Sequence, residues 1–356
     1  MRAQTASLPP MQGVAVARPA PVTDPRRDAS LVSVVVPVFE EEAVIEQLCA
    51  RTAAALAGVA WELILVDDGS RDRTPELLQR LARDESRIGV VTLSRNFGHQ
   101  MALTAGLDHA AGDVVVTMDA DLQDPPEVIP ALLDRWRAGA DVVYAVREQR
   151  AGETRMKLLT AGWFYRLFRR VTRIELAAEA ADFRLLDRRA LDALGSMRER
   201  NRFLRGMSVW VGFTQATVPY RREPRLAGTS KYTTRRMVRF AFDALFSFSN
   251  LPLQLATVLG FVCAGLAILG LPLAGVARSA GILAHGMGTV LFVVLLLGGI
   301  QLITVGIIGE YVGRIYDEVK GRPLYVVARR SNVTEPSRRA MTSAEERSTE
   351  EDRVSV

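Results

Sequence analysis

Val114-Val115-Val116-Thr117-Met118-Asp119-Ala120-Asp121 is an apolar run that ends abruptly in two carboxylates. Too short for a helix and too continuous to alternate, it reads as a strand over Val114–Met118 buried on both faces, with Asp119 and Asp121 delivered at its carboxyl end. Ser33–Val38, Glu62–Val66, Ile88–Leu93 and Val142–Val146 have the same character. Helical patterns at 42–57, 74–84, 98–110 and 127–138 separate these runs. The stretch from Ser33 to about Tyr220 therefore predicts an α/β domain, a mainly parallel sheet with helices on both sides. Ligands of such sheets bind outside the carboxyl ends of the strands. The unusual residues collect there: Pro37, Glu40, Glu41 and Glu42, then Asp67-Asp68-Gly69-Ser70, then Asn96, then Asp119-Ala120-Asp121.

No GxGxxG or GxxxxGK[ST] follows any strand, which argues against a dinucleotide oxidoreductase and a P-loop NTPase. Among 356 residues, 49% hydrophobic and 24% charged, only Cys49 and Cys263 are cysteines, so neither global disorder nor a disulfide framework nor a zinc site is expected. Lys occurs only at 157, 231 and 320, and the other 42 of the 45 basic residues are Arg. Arg forks suit phosphate, although a GC-rich genome gives the same bias.

Residues 1–30, rich in Ala, Pro and Arg, lack the apolar run of a signal peptide. With the polar tail 331–356 they are read as disordered. No charge interrupts Ala244–Ala277 or Ser279–Gly309. Each stretch exceeds the roughly 20 apolar residues needed to cross a bilayer, so two transmembrane helices are expected at about 251–273 and 287–309, within 251–310. Arg235, Arg236 and Arg239 before the hairpin, and Lys320, Arg322, Arg329 and Arg330 after it, place both termini and the catalytic part in the cytoplasm, at the inner (plasma) membrane. The segment 232–250 is read as a juxtamembrane amphipathic helix and 311–330 as a cytoplasmic segment. Arg155–Arg173 and Arg235–Phe248 mix basic and aromatic residues as an anionic interface requires. A helix packed on the soluble core is the alternative.

Asp119 and Asp121 supply the hard oxygens that Mg²⁺ or Mn²⁺ takes, and an ion there would bridge a diphosphate leaving group. An EF-hand is excluded, because Asp124 stands where Gly is needed and Pro130 where Glu is needed. Alone, such a pair is as easily solvated or a helix cap; Asp67-Asp68 on a neighbouring strand fits the reading of a base and ribose hydroxyls. His99 opens the helix after the third strand and is placed near the site, whereas His109 is read as a surface residue.

Val34-Val35-Val36-Pro37-Val38-Phe39-Glu40-Glu41-Glu42, Val66-Asp67-Asp68-Gly69-Ser70, Ser94-Arg95-Asn96-Phe97-Gly98-His99-Gln100, Met118-Asp119-Ala120-Asp121-Leu122-Gln123-Asp124-Pro125-Pro126 and Asp182-Phe183-Arg184-Leu185-Leu186-Asp187-Arg188 follow in order. Asn201-Arg202-Phe203-Leu204-Arg205-Gly206, Ala227-Gly228-Thr229-Ser230-Lys231-Tyr232 and Ile308-Gly309-Glu310-Tyr311 complete the series. Over about residues 31–327 this resembles the family-2 glycosyltransferases, specifically the polyprenyl-phosphate glycosyltransferases (bactoprenol-phosphate glucosyltransferases and dolichol-phosphate mannose synthases). The resemblance implies a GT-A, Rossmann-like domain over 31–231, a two-helix anchor, and inverting transfer from a nucleotide sugar to a lipid phosphate. It implies that Asp68 contacts the base, flanked by Pro37 and Glu40, that Asp119 faces the ribose or diphosphate, and that Asp121 is the principal metal ligand with Gln123 near the sugar phosphate. Arg147 is given a diphosphate contact. By the same resemblance Arg155, Arg225, Ser230 and Lys231 would receive the acceptor phosphate or the donor diphosphate. Asp182 orients acceptor or sugar hydroxyls, or else caps a turn. Relatives commonly carry Gly where Ala181 precedes Asp182, which bears on the loop over the sugar.

The expected partners are thus a UDP- or GDP-hexose, polyprenyl (undecaprenyl) phosphate and the membrane, without nucleic acid. UDP-glucose is favoured over GDP-mannose or UDP-N-acetylglucosamine. Gly298, Gly299, Gly306 and Gly309 permit self-association as a homo-oligomer. Two alternatives are weighed. A processive polysaccharide synthase is disfavoured because Asn201-Arg202-Phe203-Leu204-Arg205 stands where those enzymes carry Gln-x-x-Arg-Trp. A catalytically inactive nucleotide-binding scaffold is disfavoured by the intact acidic pairs.

Overall fold

The computed structural model describes residues 28–147, 180–223 and 287–335, together with scattered helical positions between 253 and 276. The two amphipathic stretches, Arg155, Arg225, Ser230, Lys231 and most of the first expected span lie outside the described residues.

Five apolar runs form β1 (Val32–Val38), β2 (Trp61–Asp67), β3 (Ile88–Leu93), β4 (Val114–Thr117) and β5 (Val142–Arg147), within a residue or two of the sequence expectation. Every residue of β1 is buried, as a strand covered on both faces requires. Between them lie α1 (Ile45–Ala55), α2 (Thr74–Asp84), α3 (His99–His109) and α4 (Ile129–Arg137). Beyond them come β6 (Ala180–Asp187), α5 (Arg188–Ser196), α6 (Leu204–Trp210), β7 (Gln215–Tyr220), α7 (Met287–Val319) and β8 (Val327–Ser331).

The strands make one sheet in the order β7-β5-β6-β4-β1-β2-β3-β8. It is mixed rather than mainly parallel. The β3-β2-β1-β4 block and the β5–β7 pair are parallel, but β6 enters antiparallel between β4 and β5, and β8 lies antiparallel on β3. Two cores flank the sheet. One gathers Val34, Val36, Leu63 and Leu65 with Leu48 of α1, Leu78 of α2 and Leu132 of α4. The other gathers Val35, Val66 and Val91 with Leu103 of α3, Leu191 of α5 and Met207 of α6. Gly106 lets α3 lie directly on β1, since a Cβ there would meet Val35 Cγ1 at 2.2 Å.

The reversed strands gather the site. Because β6 runs against β4, with Thr117 opposite Arg184, its early residue Asp182 reaches the edge where β4 ends in Asp119. Arg147 and Tyr220 close β5 and β7 in register at that same edge.

Several boundaries move. Ser30 donates its backbone N–H to Asp113 at 2.7 Å, so order begins before residue 31. Ser331 belongs to β8, and Asn332 donates to the Ala82 and Ile88 carbonyls, so the polar tail starts later than expected. His109 is buried, not superficial; its Nδ1 hydrogen-bonds the Ala105 carbonyl oxygen at 2.7 Å. Among the described residues no helix is long and apolar enough to cross a membrane. Several side-chain positions of α7 fall outside that description, and the sequence of this helix carries no charge from Met287 to Gly309.

Candidate active site

Two loops shape one end of the site. Asp68 follows β2, and its two oxygens accept the N–H groups of Phe97 at 2.7 Å and Gly98 at 2.9 Å, immediately before α3. Burial pushes this carboxyl above its ordinary pKa, which the two N–H groups partly offset. Each oxygen keeps a second lone pair for a ligand. Asp67 accepts from Ser70 N–H at 2.9 Å, and Ser70 Oγ accepts from Glu40 N–H at 2.9 Å. Glu40 holds φ +54°, a strained value for a side-chain-bearing residue. Gly69 is dictated by space and conformation alike: its φ is +74°, and a Cβ would lie 2.6 Å from the Arg95 carbonyl carbon. Pro37 is buried within β1, and Asn96 is exposed on the loop that serves Asp68.

The turn after β4 carries the second cluster. Leu122, fully buried at φ +56°, forces a sharp turn between Asp121 and Gln123. Asp121 is buried and accepts from Gln123 N–H at 3.1 Å. Asp119 is about a third exposed, its side chain 32% accessible.

His99 Nε2 lies 3.3 Å from Asp182 Oδ2 and 3.7 Å from Asp119 Oδ1. Burial alone would lower the imidazole pKa, but the two carboxylates outweigh it and raise His99 to about 9. Burial raises Asp119, the imidazole opposes it, and Asp182, Asp124 and Asp121 add to the rise, which ends at about 6. Asp182 moves the other way: burial would raise it, yet the His99 hydrogen bond and the Arg184 charge hold it well below the carboxylate range. Asp182 lies in β6, not in a turn, so the turn-cap reading does not apply. Its carbonyl accepts from Thr117 Oγ1 at 2.5 Å. Arg184, 1% exposed, sits 3.4 Å from the Asp182 carboxylate and donates to Ser208 Oγ at 3.0 Å, which also hydrogen-bonds the Tyr144 hydroxyl.

Among the described residues no three His, Cys, Asp or Glu side chains form a metal cage. The residues present nonetheless suit a hard divalent ion. Asp119 and Asp121 offer carboxylate oxygens where burial, and then the neighbouring acids, raise Asp119, and Mg²⁺-like ions keep positions for water and substrate oxygens.

The structure thus brings together Pro37, Glu40, Asp68, Asp119, Asp121, Gln123, Asp182 and Arg147 at one sheet edge. Sequence reasoning left Arg184, Ser208, Tyr144 and Tyr220 unassigned. Arg184 and Tyr144 meet through the antiparallel β5–β6 pairing and Tyr220 through the parallel β5–β7 register, pairings of residues far apart in the chain.

Residues 33–195 match the family-wide pattern described as Glycosyl transferase family 2. A glycosyltransferase of Synechocystis sp. is 43% identical over 302 residues, covering 83% of this chain and 94% of the relative. The glycosyltransferase YkcC of Bacillus subtilis is 43% identical over 298 residues, covering 83% and 92%. The SfII prophage-derived bactoprenol glucosyl transferase of Shigella flexneri is 40% identical over 299 residues, covering 83% and 97%.

Proposed function

Since the chain belongs to glycosyl transferase family 2, and within it to the polyprenyl-phosphate glycosyltransferases, we propose that it moves glucose from UDP-glucose onto undecaprenyl phosphate with inversion at the sugar. The resulting polyprenyl-phosphate sugar serves as a donor for cell-envelope glycan or protein modification. The observation that carries this reading is the 40% identity over 299 residues to a bactoprenol glucosyl transferase, and the site agrees with it in setting His99 between Asp119 and Asp182. A relative named bactoprenol glucosyl transferase supports the lipid acceptor and glucose.

A phosphate monoester is already anionic near neutral pH, so the acceptor needs no strong base. It needs positioning, charge neutralisation and a stabilised leaving group. A phosphate oxygen attacks C1 of the sugar. The C1–O bond to the nucleoside diphosphate breaks with its electron pair passing to the diphosphate. Asp182, kept ionised by His99 and Arg184, accepts hydrogen bonds from sugar or acceptor hydroxyls and so orients them. Arg147 balances charge on the departing diphosphate. When bound by Asp119 and Asp121, Mg²⁺ or Mn²⁺ adds further charge stabilisation there.

The acceptor lies in a bilayer, and α7 supports a membrane setting. Val290, Val293, Val294, Leu297, Leu302, Ile303, Val305 and Ile308 are exposed along it, as on a lipid-facing helix. We read 251–273 and 287–309 as the two spans, with both termini cytoplasmic and self-association through the glycines of the second. The polar end of α7, Glu310–Val319, adds about 15 Å at 1.5 Å per residue. Arg200 N–H then donates to Glu318 at 2.7 Å, and β8 begins with Val327 opposite Leu93, at the sheet edge that carries the site. The reading therefore sets the site close above the membrane surface. Full-length protein in detergent, given metal, undecaprenyl phosphate and one nucleotide sugar at a time, is expected to release UDP from UDP-glucose only when the lipid is present. Lipid-dependent release of GDP from GDP-mannose would reassign the donor, and a polymeric product would restore the processive alternative.

A further inference from the structure

Asp124 is fully buried beside the site, yet the metal reading gives it no part. Its Oδ1 accepts a hydrogen bond from the Tyr220 hydroxyl. Two guanidinium groups face that same oxygen beyond hydrogen-bond range, Arg147 Nη2 at 3.8 Å and Arg222 Nε at 3.9 Å. The Tyr220 hydroxyl in turn accepts from Arg147 Nε at 3.2 Å. Register explains the meeting: Arg147 and Tyr220 are paired residues closing β5 and β7, so their side chains leave neighbouring strands at one level. The Tyr220 ring is buried edge-on to Phe183, with centroids 5.8 Å apart, which fixes the position of the hydroxyl.

We propose that Tyr220, with Asp124, is a positioning residue that braces Arg147 and Arg222 as a pair of guanidinium groups for the donor's diphosphate. Two guanidinium groups face one carboxylate oxygen, and neither is within hydrogen-bond range of it. The carboxylate is too distant to occupy their donors, and among the described residues Arg222 Nε is buried without a partner. Unmet buried donors are costly, and an anion entering there satisfies them with charge-assisted bonds. Asp124 follows Asp121 by three residues, close enough to feel its charge, and Arg147 feels that of Asp119, so the two guanidinium groups stand beside the acidic pair. The inference rests on reading the site as a nucleotide-sugar site.

Calorimetric titration of the full-length protein with UDP in the presence of Mg²⁺ tests it. Tyr220→Phe removes only the hydroxyl and keeps the ring. It is expected to weaken UDP binding roughly threefold to tenfold, the worth of one hydrogen bond, in the otherwise native chain. In an Arg147→Ala background the same change is expected to have no effect beyond twofold, because a positioning residue has nothing left to position. Equal weakening in both backgrounds marks a merely structural tyrosine and overturns the brace, as does unchanged affinity in the native background. Arg222→Ala, at a side chain 33% exposed, is expected to weaken UDP binding comparably without loss of fold, and unchanged affinity there also overturns the pairing. If the unmodified protein binds neither UDP nor GDP, the nucleotide-sugar reading falls and the brace with it. Binding that Tyr220→Phe leaves untouched overturns the brace alone.

Discussion

His99 and His109 stand at the two ends of α3 and behave oppositely. His99 faces two carboxylates and is held protonated, while burial lowers the pKa of His109. An unfolded histidine titrates near 6.5, so below that pH the unfolded chain binds a proton that folded His109 refuses. Its stability contribution is present above about pH 6.5 and falls on acidification towards the lower folded-state pKa. Denaturant unfolding between pH 7 and 5 is expected to show a loss of up to about 1.4 kcal/mol per pH unit from this group, absent in His109→Gln. Equal slopes in both proteins would contradict it. At Asp182 the prediction concerns turnover: Asp182→Asn is expected to lower kcat about tenfold to a hundredfold, the range for charged hydrogen bonds, with UDP affinity within about twofold of the native value. Lost affinity with unchanged kcat would move Asp182 to the donor side. The acidic pairs were legible in sequence because carboxylates ending apolar strands have few other uses. The burial of His109 was not, since nothing in Leu107-Asp108-His109-Ala110 reveals the Ala105 carbonyl that takes its proton-bearing face.

Among the elements, α3 carries the most constraint, with His99 and the Asp68-binding loop at one end and Asp108 at the other. Asp108 accepts from Arg198 at 2.8 Å and from the Tyr325 hydroxyl at 2.6 Å, tying the helix to the segment that follows α7. Gly106→Ala would drive a methyl into Val35 and is expected to destabilise the fold by about 1–3 kcal/mol, the usual cost of overpacking, measured by denaturant midpoint. A neutral result would mean that α3 can shift without loss. The strands β1 to β5 were readable because continuous Val, Ile and Leu runs of this length have one stable home, a sheet covered on both faces. In β6 the signal is broken by Asp182 and Arg184, whose charges are met only in three dimensions. Polar β8, Val-Ala-Arg-Arg-Ser, is suited to an exposed edge and looks like tail. Hydrogen exchange is expected to find the β3 amides protected like those of β2, since β8 covers the outer edge. Loop-like exchange at Val90–Leu93 would mean that β8 is unpaired.

At the scale of the whole molecule, the described residues assigned to the chemistry lie on one edge of the sheet, where the parallel strands end, and the chain leaving α7 returns to that edge. Transfer of the sugar to the lipid is measured directly in membranes. Membranes bearing the full-length protein should be incubated with undecaprenyl phosphate, Mg²⁺ and labelled UDP-glucose, alongside Asp121→Asn. Label entering the lipid phase with the native chain, and at least about a hundredfold less with Asp121→Asn, is the expected result, because the variant weakens charge stabilisation where the diphosphate departs. Nucleotide binding with no label in lipid from any nucleotide sugar would contradict the claim and favour the inactive scaffold.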